Sequence, residues 1–209
     1  LDARFFQIAF QAVLLTAGVL LRDFSLLPLQ MALALVSAVA TQAFWLRIFG
    51  LTGVGYLSPL ITGFGLSLLL RADSLWLHPP VACLAISGKF LIRIRGKHVF
   101  NPANFGVGLA LLGLPGAWVS PGQWGTGATF AFAIASAGLA VTFRSARSDV
   151  TLAFIATYAA LVVGRSLQLG EPLTIPLHRL ESGAFLLFSF FMISDPKTTP
   201  DARAGRVLF

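Results

Sequence analysis

Eight apolar runs, parted only by short polar breaks, constrain this chain more than any other feature. They cover roughly Phe5–Leu21, Leu26–Phe44, Tyr56–Leu70, Trp76–Ile92, Phe105–Leu114, Ala128–Phe143, Val150–Val163 and Gly183–Ile193. None alternates in polarity, as the strands of a membrane barrel would. A backbone in hydrocarbon must satisfy its polar groups within its own segment. All eight runs are therefore predicted to be helices. Hydrophobic residues make up 56% of the chain and charged ones 11%, against about 25% charged in a typical soluble chain. So few charges cannot clothe a water-exposed globule, and so much apolar content excludes a disordered chain. The expected fold is an all-α polytopic membrane protein, with residues 1–209 as a single transmembrane domain of about eight transmembrane or half-membrane helices. The single cysteine excludes an internal disulfide, a four-cysteine zinc site and an iron–sulfur cluster held by this chain alone.

The 15 basic residues outnumber the 8 acidic ones. They lie in the breaks between apolar runs, as in membrane proteins, so nucleic acid is not an expected partner and the lipid bilayer is. If all eight runs cross, Arg4, Arg47, Arg93, Arg95, Lys97, Arg144, Arg147, Lys197, Arg203 and Arg206 share one side. The other side keeps Arg22, Arg71, Arg165 and Arg179. That bias places the N-terminus in the cytoplasm of a multi-pass inner-membrane protein. Trp76, Trp118 and Trp124 then mark the outer interface and Trp45 the inner one. No signal peptide is read at the start, since Asp2-Ala3-Arg4 leads into a run without a small-residue cleavage site. The chain opens at Leu1 and stops at Phe209 as apolar residues resume, so it is expected to belong to a longer protein.

Several runs fall short of a span, most clearly Phe105–Leu114 and Gly183–Ile193. Short runs flanked by Gly and Pro suit half-helices around a buried site, or Gly simply lets helices pack closely. His78, His98 and His178 lie at run edges and form no evident pair, so they are expected to be solvated loop residues rather than haem or metal ligands. Lys89 lies inside a run. An intramembrane charge is costly and usually functional, although a lysine at that depth can also snorkel to the interface. Asp195 follows the last run and could cap, pair with a basic residue or line an ion path. Asn101 and Asn104 share a helical face at the start of a short run. Asn101-Pro102 fits an N-cap followed by proline, and Asn104 is left over, available to a neutral polar ligand such as a flavin ring. Thr126-Gly127-Ala128-Thr129 opens the sixth run, where small residues let a phosphate approach backbone N–H groups or a hydroxyl cap the helix.

Four segments, in order, resemble a family of membrane flavoproteins found in two related bacterial complexes, the sodium-pumping NADH:quinone oxidoreductase and the Rnf ferredoxin:NAD oxidoreductase. Ser58-Pro59-Leu60-Ile61-Thr62-Gly63 resembles the family's S-A-L-I-T-G helix, and Phe100-Asn101-Pro102-Ala103 matches F-N-P-A. Thr126-Gly127-Ala128-Thr129 matches the S/T-G-A-T flavinylation motif. The stretch from Phe191 to Pro200 resembles F-M-x-T-D-P-x-T-S-P, with Gly205-Arg206 following as in the family. The resemblance implies a urea-transporter-like inverted repeat. It also implies FMN attached by a phosphoester to Thr129 within Thr126, Gly127 and Ala128, a bond made by a periplasmic flavin transferase. In the sodium-pump relatives a second, non-covalent flavin (riboflavin) lies near the F-N-P-A helix, a role the resemblance carries to Asn101 and Asn104. Gln123 stands where the family's motif usually has Asp, and the family's last helices and long N-terminal arm have no counterpart here.

Three functions follow as expectations. The first is a transmembrane electron-transfer flavoprotein, a non-catalytic carrier in an oxidoreductase complex, working with other redox subunits or a flavin or iron–sulfur donor. The second is a urea-transporter-like solute channel without redox function. The third is a membrane subunit that only docks partners. No carboxylate lies in mid-run, which argues against ion pumping by this chain alone. Asp195 and Lys89 are the nearest candidates for an ion or charge role.

Overall fold

The computed structural model describes residues 2–21, 24, 26–119, 128–144 and 146–209, leaving out the side chains of residues 3, 128–133 and 144. The chain is mostly helical and divides into two compact units, Leu1–Ser120 and Pro121–Phe209. The first holds α1 (Ala3–Leu21), α2 (Pro28–Ile48), α3 (Leu57–Leu69), α4 (His78–Leu91) and α5 (Pro102–Gly113). Short strands β1 (Leu70–Ala72), β2 (Arg93–Ile94), β3 (Lys97–His98) and β4 (Ala117–Val119) interrupt them. The second holds α6 (Ala128–Arg144), α7 (Ser148–Leu169), α8 (Thr174–Leu180), α9 (Gly183–Leu187) with a π-helical turn Phe188–Met192, and α10 (Arg203–Leu208).

Every apolar run coincides with helix. Among the described residues, three helices are long and apolar enough to cross a membrane: α1, α2 and α7, at 19, 21 and 22 residues. Each reaches about 30 Å. By contrast α3 and α5, at 13 and 12 residues, reach only about 20 Å. Strands β2, β3 and β4 and helix α8 lie in breaks between apolar runs, where loops are expected; β1 begins on the last residue of a run, and α10 follows the last one.

In lipid, apolar burial does not drive helices together; close packing of small residues and interhelical hydrogen bonds do. The buried stripe of α2 is Gln30, Ala34, Ala38, Gln42 and Leu46, one residue per four. Its alanines let α4 approach with Val81, Ala82, Ala85 and Ile86, all fully buried. Polar side chains stitch the same face. Thr41 Oγ1 donates to Cys83 Sγ at 3.1 Å, and Trp45 Nε1 donates to Ser87 Oγ at 2.9 Å. Trp45, expected in an interfacial belt, thus turns inward and stacks on Phe49 and Phe90.

The two short helices carry one pattern twice. Pro59, Gly63, Gly65, Leu66, Leu68 and Leu69 of α3 have Pro102, Gly106, Gly108, Leu109, Leu111 and Leu112 at the same spacing in α5. A strand follows each helix, and β1 pairs with β4 antiparallel, Arg71 opposite Trp118. The equivalent glycines seat each short helix on a neighbouring helix. A Cβ on Gly63 would lie 2.8 Å from Leu35 Cδ2 in α2, and one on Gly106 2.8 Å from Ala85 Cβ in α4.

In the second unit Phe190 of the π-helical turn lies against Gly138 of α6, and Thr151 Oγ1 of α7 donates to the Ser189 carbonyl at 2.8 Å. Arg206 Nε of α10 donates to Asp149 Oδ2 at 2.7 Å, holding the C-terminal segment to the start of α7.

Candidate functional site

Lys89 lies in the last turn of α4 and turns inward. Its Nζ donates to Gln42 Oε1 at 2.7 Å and to Ser58 Oγ at 2.9 Å. Gln42 is fully buried, and its Nε2 donates to the Gly55 carbonyl at 3.0 Å. One polar chain therefore ties α2, α4 and the start of α3 together around a cation. A charge out of water is tolerated only when its hydrogen-bond geometry is satisfied. Neither Gln42 nor Ser58 is among the residues that sequence reasoning offers for an ion or ligand; the one signal is a glutamine inside an apolar run. Gln42→Leu is expected to lower stability by about 2 kcal/mol, because it removes an acceptor from a half-buried ammonium. Adding Lys89→Met should recover part of that loss, since the pair becomes apolar. Thermal midpoints in detergent check this: a double variant less stable than Gln42→Leu alone contradicts the assignment.

Asn101 and Asn104 separate in role. Asn101 is the N-cap of α5, its Oδ1 accepting the Asn104 N–H at 3.2 Å, with Pro102 at the first helical position. The Asn104 side-chain amide makes no hydrogen bond among the described residues. It retains two donors and an acceptor. Beside it Phe100 and Phe105 stack at 5.3 Å, and the Phe105 ring fills the space a side chain on Gly88 would need.

Of the stretch Thr126–Thr129, expected from the resemblance to carry FMN, Thr126 and Gly127 lie outside the described residues, as does Gln123. Ala128 and Thr129 are the first two residues of α6, with their side chains outside the description. First-turn N–H groups of a helix have no intrahelical acceptor, and phosphate is stabilised there.

The chain matches no protein-family model and no curated protein.

Asp195 sits in a turn of the second unit. Its Oδ1 accepts the Lys197 N–H at 2.9 Å, and its carbonyl accepts those of Thr198 and Thr199 at 3.1 Å. Fully buried Thr199 in turn accepts Arg147 Nε at 2.9 Å. The bonds to Asp195 close a turn from Asp195 to Thr199.

Two histidines correct the sequence expectation. His78 and His98 are 1% and 8% exposed rather than solvated, while His178 is exposed. His78 opens α4 and His98 ends β3, and the burial of both depends on what packs over them, which hydropathy does not register. Arg71, counted with the outer loops, is also buried at 2% exposure. Its Nη1 donates to the Ser67 and Leu70 carbonyls at 2.9 and 2.8 Å. Burial pushes its guanidinium down to about 10, so it stays charged at neutral pH. Among the described residues no group of three or more His, Cys, Asp or Glu is placed to hold a metal ion.

Proposed function

We propose that this chain is a transmembrane electron-transfer flavoprotein similar to the flavin-carrying membrane proteins of the sodium-pumping NADH:quinone oxidoreductase and the Rnf complex. FMN is joined by a phosphoester to Thr129. The fold is a urea-transporter-like inverted repeat in a bacterial inner membrane, with the N-terminus in the cytoplasm. The observation that carries the reading is Thr129 itself. It ends Thr126-Gly127-Ala128-Thr129 and is the second residue of a 17-residue helix, where a phosphate meets free N–H groups. The three accompanying segments, in the family's order, support it. The pattern shared by α3 and α5 supports a repeat fold, since transporter-type folds build sites from repeated short helices.

The flavin, when bound, supplies the redox chemistry. The chain supplies the rest. Thr129 contributes the oxygen of the phosphoester, the first turn of α6 contributes donors to the phosphate, and Asn104 offers its amide to a second, non-covalent flavin such as riboflavin. A periplasmic flavin transferase makes the bond, and other redox subunits or a flavin or iron–sulfur donor deliver electrons.

A solute channel is the second reading, favoured by α3 and α5, which are too short to span alone and lie side by side. One preparation separates the two. The protein is purified from cells co-expressing a flavin transferase, denatured in SDS and viewed by in-gel flavin fluorescence. A fluorescent band at 22.3 kDa is expected. A dark band with solute flux in liposomes overturns the electron-carrier reading in favour of the channel, and a dark band without flux leaves a docking protein.

A further inference from the structure

Basic groups from two parts of the first unit gather at one end of it. Phe49, just after α2, stacks on Phe90 near the end of α4 at 6.2 Å and 10° between planes, so the two C-terminal ends are neighbours. Exposed Arg47 belongs to the last turn of α2. It borders a groove of about 450 Å³ with Gly50, Thr52, Gly53 and Tyr56. Directly after α4 comes the β2–β3 hairpin, with Arg93 opposite His98 and Ile94 opposite Lys97. Its two-residue turn is Arg95-Gly96, at φ 51 and 81. That is a primed turn, where Asn-Gly is the usual pair. A left-handed backbone is unfavourable for any residue with a Cβ. Holding an arginine there points to a use for its charge.

The surroundings select the occupant. From Phe24 to Ser148 the sequence holds one carboxylate, Asp73. Interleaved with the cations, Leu91, Ile94 and Phe100 are 60, 64 and 49% exposed. An acidic protein would leave those apolar side chains in water. A headgroup layer takes both, with cations on phosphates and apolar groups at the acyl boundary.

We propose that this end of the first unit is a binding site for an anionic phospholipid, with Arg47, Arg93, Arg95 and Lys97 taking the headgroup phosphate and Leu91, Ile94 and Phe100 entering the acyl boundary. The proposal stands independently of the flavin reading.

Native mass spectrometry of the full chain in detergent tests it, with phosphatidylglycerol and phosphatidylcholine as probes. The parent should prefer phosphatidylglycerol. Arg95→Gly is the decisive variant, because glycine suits the backbone at φ 51 while removing the charge. It should reduce the preference about fivefold, the effect of one basic residue near an anionic surface, with a thermal midpoint no lower than the parent's. Replacing Arg47, Arg93 and Lys97 by Gln as well should abolish the preference, whereas Arg165→Gln with Arg179→Gln should leave it intact. Equal binding of both lipids by the parent, or a preference that survives the four-site variant, overturns the proposal. So does displacement of the lipid by inorganic phosphate, or by a polyglutamate peptide, which would indicate an acidic protein partner.

Discussion

Thr129→Ala is expected to leave the protein with no covalent flavin, while the chain still inserts and folds. The phosphoester needs a side-chain oxygen, which alanine lacks, and alanine is the better helix former in the first turn of α6. Thr129→Ser keeps an oxygen and should keep part of the label. Thr126→Ala removes a hydroxyl that the resemblance does not assign to the bond, so labelling should persist. Gln123→Asp restores the acid usual in the family's motif and should raise the labelled fraction. The readout is the flavin-to-protein ratio after denaturation and removal of free flavin. Label retained by Thr129→Ala would place the attachment elsewhere, and label absent from every variant, including Gln123→Asp, would remove the covalent flavin altogether.

Gly106→Leu should strongly destabilise the first unit. A Cβ at Gly106 would lie 2.8 Å from Ala85 Cβ and 3.2 Å from the Val81 carbonyl oxygen. Both contacts belong to the backbone of α4 or sit one bond from it, so no side-chain rotation relieves them, and α4 and α5 must separate. Overpacking a full interface typically costs about 1–3 kcal/mol and occasionally more; leucine at this fully buried contact belongs at the upper end. With about 2–4 °C lost per kcal/mol in a chain of this size, the thermal midpoint should fall by roughly 6–12 °C. Gly108→Ala is the control, because nothing lies within 4 Å of its added Cβ. There alanine should be neutral or stabilising by up to about 1 kcal/mol through helix propensity. If the two substitutions prove equal, the close approach of α4 and α5 is not what Gly106 provides.

The helices were legible because their cause is local. A long apolar run must satisfy its own backbone, and all eight runs coincide with helix. The Asn101-Pro102 cap was legible for the same reason, since its donor and acceptor lie three residues apart. The partners of Lys89 were not. Gln42 and Ser58 are 47 and 31 residues away in sequence, and no periodicity marks them. The burial of His78 and Arg71 was hidden likewise, because hydropathy registers a polar residue without registering what packs on it. Three-residue strands such as β1 and β4 carry too little alternation to be read. Their pairing became visible only with the chain folded, and with it the pattern shared by α3 and α5.

The amino-acid sequence alone determined the apolar character of this chain and its helical runs, because hydropathy is a property of consecutive residues; it is the resemblance that directs the test for flavin to Thr126–Thr129. Tertiary structure decided which polar groups face one another: Lys89 turned to Gln42 and Ser58, Thr41 to Cys83 and Trp45 to Ser87. Those outcomes depend on helix rotation and close approach, governed by small residues such as Ala38, Ala85 and Gly106, whose effect exists only once a second helix lies against them.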